Sequence, residues 1–321
     1  MSRFALAKHL MNETKTQFEK IRFKDLVWTD IISPNREVLT SIQKKYKFHE
    51  LDIEDCLTEN QRSKIDEYDK YLFMVLHFPF FDSTKKLLVI QEIDIFIGQD
   101  FIITIHDGVL RPVMDVFGKC MLSIKQRKRF MSNGSGFLLY EIIDSMLDEG
   151  FRLVDYISNN THVIEKSVFN VDATRKDMLK DILILKKDII TFRRVVSPQR
   201  TVIAQLEHKN KKFLPENLEL YFDDLVDKVE KTWSNLESMK DLVMSIQETH
   251  ESIISHTTNN VIKVLTIFSV IMLPLTVLTG FYGMNVSLPF EQHEAAYMIV
   301  IGGMIVIIGA MLGYFRWRKW L

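Results

Sequence analysis

The stretch VLTIFSVIMLPLTVLTGFYGMN, residues 264–285, decides the fold. Its first part, Val264 to Phe281, carries no charged side chain, and neither does a second run, Ala295 to Phe315. As helices rising ~1.5 Å per residue, these runs reach about 27 and 31 Å. The hydrocarbon core of a bilayer is about 30 Å thick, so both read as membrane spans. A buried helix pair in a soluble protein is the competing reading. Two such runs close together near the C-terminus disfavour it.

The flanking charges predict a direction. Lys263 precedes the first run; Arg316, Arg318 and Lys319 follow the second, with Trp317 and Trp320 as interfacial anchors. The connecting residues 285–294 hold no Lys or Arg but do hold Glu291 and Glu294. The positive-inside rule then puts both chain ends in the cytoplasm and the short loop outside. Met1 to Lys20 lacks the apolar core of a secretion signal, which agrees. The first span includes Ser269, Pro274, Thr276, Thr279 and Gly280. The second includes Gly302, Gly303, Gly309 and Gly313, and the four-residue step from 309 to 313 predicts close helix packing.

The whole chain of 321 residues is 47% hydrophobic and 26% charged, averages that hide this segregation. A net charge of −1 gives no basic excess for nucleic acid. The two cysteines, Cys56 and Cys120, form neither a disulfide framework nor a metal-like spacing.

Upstream of the first span, Pro215 suits the first turn of a helix. No glycine follows until Gly280, and the only proline on the way is Pro274. Phe222, Leu225, Val229, Leu236, Met239, Val243, Ile246 and Ile253 recur at helical steps, opposite a face of Glu, Asp and Lys. A continuous helix of about 65 residues, ~100 Å long, follows. Such a helix has to cover its apolar stripe against partners, which predicts oligomerisation. A dimeric coiled-coil stalk fits the periodicity equally well. Extended into the membrane, one face reads Asn259, Ile262, Leu265, Ser269, Leu273, Thr276 and Gly280. That mixture of polar and apolar positions suits a pore lining.

The N-terminal part mixes strands and helices. Phe23 to Ile31, Tyr71 to Phe81, Leu87 to Ile97 and Phe101 to His106 are rich in β-branched and aromatic residues and read as strands. Gly98-Gln99-Asp100 is a hairpin turn and Asn35 to Tyr46 a helix. Helical patterns dominate from Gly136 to about Gln205, with Leu138, Ile142, Met146 and Leu153 as one stripe. No phosphate-binding loop, nucleophile elbow or zinc-protease motif is present, so no enzyme is predicted. His250 and His256 read as ordinary surface or interface residues. The basic cluster Lys125, Arg127, Lys128 and Arg129 reads as a solvated face. Asn285-Val286-Ser287 fits a glycosylation sequon, a string common by chance.

Tyr282-Gly283-Met284-Asn285 directly after a span, then one further span and a basic tryptophan-containing tail, resembles the CorA family of divalent-cation channels. Further stretches are similar to that family: Leu51-Asp52-Ile53-Glu54-Asp55-Cys56-Leu57, Gln61-Arg62-Ser63-Lys64-Ile65, Tyr71-Leu72-Phe73, Lys263-Val264-Leu265-Thr266 and Pro274-Leu275-Thr276. The resemblance covers nearly the whole chain. It implies a funnel-shaped homopentamer in the cell (inner) membrane. The implied parts are a cytoplasmic α+β domain over 1–135, long cytoplasmic helices including the stalk over 136–258, and a pore helix over 259–283. An outer loop over 284–294, a second span over 295–315 and a basic tail over 316–321 complete it. Gly283, Met284 and Asn285 would form the pore entrance. Asn259 and Thr276 match polar pore positions, Leu265 an apolar constriction, and Leu273 a position where many relatives have methionine. Asp55 and Asp224 match carboxylates that bind intracellular Mg²⁺ between subunits and hold the channel closed. Mg²⁺ is then both cargo and regulator, with Co²⁺ or Ni²⁺ as secondary cargo, and no other cofactor is implied. The outer loop departs from the family: where many relatives have Met-Pro-Glu-Leu, this chain has Leu288-Pro289-Phe290-Glu291. Glu291 and Glu294 either attract cations there or are simply solvated.

Elementary chemistry favours an amide at such an entrance. Mg²⁺ gives up its waters reluctantly. Asn285 side chains can hydrogen-bond those waters without stripping them, and conduction needs binding weak enough to release. A zinc transporter of the same family is the nearest alternative. A membrane-anchored dimeric signalling or tethering protein is the alternative of a different class.

Overall fold

The computed structural model describes residues 17–58, 62–82, 87–168, 176–209, 218–285 and 295–320. Two compact units divide the chain, residues 1–246 and 247–321.

The first unit is built on a six-stranded sheet. Its strands are β1 (Gln17–Phe23), β2 (Leu26–Ile32), β3 (Lys64–Glu67), β4 (Leu72–Asp82), β5 (Leu87–Ile97) and β6 (Phe101–His106), in the order β1-β2-β6-β5-β4-β3. Only the β2–β6 pairing is parallel. The strand expected over Phe23 to Ile31 is present from Leu26 onward as β2, while Phe23 ends β1, the other arm of a hairpin. Phe23 pairs with Leu26, and Lys24 turns the chain at φ 53°. No Asn-Gly or Asp-Gly marks that turn, so the sequence hides it.

One face of the sheet packs on α1 (Arg36–Tyr46) and α2 (Glu50–Asp55). Asn35 caps α1 by accepting a hydrogen bond from the Val38 N–H at 2.9 Å. Ile31, Phe73, Val75, Phe96, Ile103 and Ile105 meet Leu39, Ile42, Phe48 and Ile53 in this core. The helices α3 (Arg111–Leu122), α4 (Ile124–Met131), α5 (Gly134–Val168) and α6 (Lys176–Lys209) follow. Both α5 and α6 pack on β4 and β5. Trp28 is fully buried, edge-on to Phe117 of α3 with ring centroids 4.9 Å apart, and donates its indole N–H to Thr104 Oγ1 at 3.1 Å.

Asp94 of β5 is buried beside Cys56 and Glu92. Burial, reinforced by the Glu92 charge, pushes its carboxyl well above the ordinary aspartate range. Such an acid holds its proton more tightly folded than unfolded. Its contribution is therefore complete at low pH and lost as pH rises through the raised folded value. Asp94→Asn is expected to flatten the fall of the thermal midpoint as pH rises above the ordinary aspartate range, with the gain at the upper end. A pH series of melting curves on both proteins checks this; parallel curves would reject it.

The long helix is present as α7 (Glu219–Tyr282), 64 residues without a break. Pro215 lies outside the described residues. Phe222, Leu225, Val229, Leu236, Val243 and Ile246 are buried as the stripe predicts, while Met239 and Ile253 are partly exposed. A charged clamp joins α6 to α7. The guanidinium groups of Arg193 and Arg200 lie 4.8 and 5.0 Å from the Trp233 ring centre. Arg193 also pairs with Glu237, and Arg200 grips both oxygens of Glu230 at 2.7 Å. His250 is buried, which excludes an ordinary surface position for it, and His256 is exposed.

The second unit holds the end of α7 and α8 (Ala296–Trp317). Hardly any of either apolar segment is buried within the chain. This removes the reading as a buried helix pair of a soluble protein, since those side chains would face water. Lys263 donates to the Lys319 carbonyl at 3.4 Å, joining the two segments at the ends that carry the basic residues. A Cβ built on Gly302, Gly303, Gly309 or Gly313 would meet nothing within 4 Å. Among the described residues of the single chain, nothing packs closely at Gly309 and Gly313.

Candidate functional site

The helix α7 ends at the motif that opened the sequence reading. The Gly283 N–H still donates to Thr279 O at 2.9 Å, and the Met284 N–H tightens onto Phe281 O at 3.4 Å. A side chain at Gly283 would place its Cβ 3.0 Å from the Thr279 carbonyl oxygen, so this turn suits glycine. Met284 and Asn285 are exposed just beyond. The carbonyl end of a helix carries partial negative charge. Asn285 thus stands where the backbone already favours a cation.

Asn259, Ile262, Leu265, Ser269, Leu273, Thr276 and Gly280 are all exposed along α7, and their spacing keeps them on one face. The helix also exposes Val264, Phe268 and Val277, so exposure is shared by the polar-bearing stripe and an apolar flank. The Thr276 hydroxyl donates to Met272 O at 2.9 Å. Its hydrogen is therefore committed, and its lone pairs remain as acceptors. Acceptors match the hydrogens of a hydrated cation's waters. Pro274 has no N–H to give the Val270 carbonyl, which leaves another acceptor within the span. Glu291 and Glu294 lie outside the described residues.

The two candidate regulatory carboxylates sit in the first unit, on different elements. Asp55 ends α2, and Lys64 of β3 donates to it at 2.6 Å and pairs with Asp66 at 2.8 Å. Burial opposes the Lys64 charge, yet the hydrogen bonds with Asp55 and Asp66 outweigh it and raise its pKa. One turn earlier, Asp52 is buried and accepts hydrogen bonds from the Tyr68 and Tyr71 hydroxyls at 2.8 and 2.7 Å. Burial raises the Asp52 pKa despite those bonds and raises the Tyr68 phenol to about 12.

Asp224 is half exposed near the start of α7, with Lys228 one turn on at 3.8 Å. Lys228 also hydrogen-bonds Asp144 of α5 and reaches Asp148 at 3.0 Å. For Lys228, too, partial burial opposes the charge and the carboxylate hydrogen bonds overcome it, so its pKa is raised. The partner moves the other way. Asp144 is pushed up by burial even though Lys228 pulls it down. Carboxylate oxygens are the donors a hard divalent cation takes, so the set fits Mg²⁺ in kind. At both places an ammonium group shares those oxygens. Lys228, Asp144 and Asp148 carry no motif in the sequence, and Lys64 stands out there only as part of the stretch 61–65. The four-residue steps Asp144–Asp148 and Asp224–Lys228 were the available signal.

Comparison with known proteins gives this arrangement its relatives. The family model described as "CorA-like Mg2+ transporter protein" matches residues 23–318. The putative metal ion transporter YfjQ of Bacillus subtilis is 30% identical over 308 residues, covering 94% of this chain and 92% of its own. The cobalt/magnesium transport protein CorA of Thermotoga maritima is 27% identical over 297 residues, covering 92% of this chain and 83% of its own. Among solved structures, the CorA magnesium transporter from Methanocaldococcus jannaschii superposes with a TM-score of 0.81 at 23% identity, covering 94% of each chain. A mixed sheet, a very long helix and a C-terminal apolar helix are thus a fold already known. With a matching family model that takes in both the sheet and the two apolar segments, this chain belongs to the CorA-like Mg²⁺ transporter family of membrane proteins.

Proposed function

We propose that the chain is one subunit of a homopentameric channel that passes hydrated Mg²⁺ into the cytoplasm, driven by the membrane potential. The observation that carries this reading is the polar-bearing face of α7, which runs through the apolar segment and ends on the exposed Asn285 at the helix's carbonyl end. Amide and hydroxyl oxygens contact a cation through its waters, and a face of such groups needs sister helices around it to become a path. Both termini lie in the cytoplasm in this arrangement, as the flanking charges require. Co²⁺ is a second cargo, because hydrated divalent ions present similar outer surfaces and a relative's name pairs it with magnesium. Intracellular Mg²⁺ acts through Asp55 and Asp224 to favour the closed state.

The test is divalent-ion uptake into vesicles holding the purified chain. Mg²⁺ should enter down an inside-negative potential, with Zn²⁺ at least about tenfold slower because it prefers nitrogen and sulfur ligands. Vesicles that pass Zn²⁺ but not Mg²⁺ would transfer the assignment to zinc. Cross-linking that stops at dimers would overturn the pentamer.

A further inference from the structure

Strand β1 is one border of the sheet, and among the described residues it pairs only with β2. Along its other side the backbone N–H and C=O groups have no ladder partner. Alternation along a strand puts Phe18, Lys20 and Arg22 on one face, and all three are exposed. Phe18 pairs with Ile31, whose side chain packs on α1, so this is the face that α1 covers. The last turn of α1 brings Lys45 near Lys20. Partial burial first, and then the Lys45 charge, lower the Lys20 pKa. The Lys20 ammonium lies 4.4 Å from the Phe18 ring centre, and the Lys45 ammonium 4.7 Å from that of Tyr46. Among the described residues, no acid pairs with either lysine. The opposite border is built differently, because Lys64 of β3 is held there by Asp55 and Asp66. Two ammonium groups that repel each other, beside a row of unused backbone groups, suit an anionic chain from outside.

We propose that β1 receives an extended acidic peptide of another protein as a further strand, with the peptide's carboxylates on Lys20 and Lys45. Main-chain hydrogen bonds along the border give such a strand its hold, and alternate side chains give it selectivity. A peptide that alternates acidic and apolar residues sets every acid on the lysine face. Its apolar residues then fall on the face of Ile21, which is buried. A second copy of β1, laid antiparallel about its centre, sets Lys20 against Lys20, and like charges directly opposite are destabilising. The lysine pair therefore selects a foreign acidic chain over the protein's own. Nucleic acid brings anions but no strand, and it leaves the backbone groups of the border unused.

The experiment uses the purified full chain and a labelled peptide as long as β1 that alternates Glu and Val. Fluorescence polarisation reads binding, and hydrogen exchange reads the β1 amides. The peptide is expected to bind and to slow exchange in β1. No binding, or binding that leaves β1 exchange unchanged, overturns the proposal. Lys20→Glu combined with Lys45→Glu is expected to weaken binding at least about tenfold, because opposite-charge pairs become like-charge pairs. Both lysines are exposed, so the melting midpoint should stay where it is. Replacing every Glu of the peptide by Gln should weaken binding as well, and it tests the charge without touching the fold. Binding that survives both changes shows that the lysines play no part, and the proposal fails. Backbone N-methylation of the peptide separates strand addition from plain attraction of charge. A strand turns the N–H groups of alternate residues to opposite sides. Methylating every Glu or every Val is therefore expected to block binding in one case and spare it in the other. Equal binding by the two methylated peptides overturns strand addition. Protection of β1 by inorganic polyphosphate equal to that by the peptide also overturns it and assigns the lysines to anions in general.

Discussion

Asn285→Ala is expected to cut Mg²⁺ uptake into vesicles to less than about a tenth of the unsubstituted chain. Each amide-to-water hydrogen bond contributes about 0.5–1.5 kcal/mol net, and a tenfold rate loss needs only ~1.4 kcal/mol. In a pentamer the substitution removes five such groups at once. The change should leave folding alone. Asn285 is exposed and lies beyond the last turn of α7, so no buried contact is lost. Two properties of the site confine the effect to the side chain. The Gly283 turn closes on Thr279 O, and the carbonyl end of the helix supplies its partial charge whichever residue stands at 285. Asn285→Asp separates attraction from passage. A carboxylate should hold the hydrated ion more tightly and release it more slowly, giving half-saturation at lower Mg²⁺ with a lower maximal rate. Uptake by Asn285→Ala at the parent's rate would remove the entrance from the motif.

Phe96→Ala is expected to destabilise the first unit by about 3–5 kcal/mol, the usual loss for a large buried aromatic truncated to alanine. Domains of this kind are stable by only about 5–15 kcal/mol in all. Phe96 is fully buried in mid-sheet and touches the core on several sides. Its ring stacks on Phe48 at 4.1 Å and lies 4.6 Å from Phe73 and 6.0 Å from Tyr71. Phe48 joins α1 to α2, so the void would open between the sheet and the helix carrying Asp55. Thermal unfolding of the full chain, followed by far-ultraviolet circular dichroism, should show an early loss of sheet signal while the apolar helices persist. A midpoint within one degree or so of the parent would contradict this packing.

The residues that could be read from sequence are those whose neighbours are local. Strands β5 and β6 are rich in β-branched and aromatic residues, and their observed bounds coincide with those expected. Asn35 declares α1 because a cap bonds within its own turn. The apolar runs in α7 and α8 are long enough to declare themselves by length and charge alone. What stayed hidden depends on register between distant segments. Lys64 meets Asp55 only because α2 returns the chain beside β3. Lys228 meets Asp144 only through the contact of α5 with α7. Both lysines look like solvated charges in a linear reading. The strands β1 and β3 were missed for a related reason: their sequences, QFEKIRF and KIDE, are too charged to resemble buried strands.

Those two strands occupy the two ends of the sheet. A sheet edge offers unpaired backbone groups to any extended chain that comes near. This matters most during synthesis. The sheet emerges from the ribosome before α7 and α8 exist, and nascent copies of a membrane protein are made close together. An apolar border would let neighbours zip edge to edge into aggregates before a membrane or correct partners were available. Glu19, Lys20 and Arg22 at one border, and Lys64, Asp66 and Glu67 at the other, set charge against that pairing. The residues that concealed these strands from a pattern search are thus the ones that keep the unfinished protein apart from its copies.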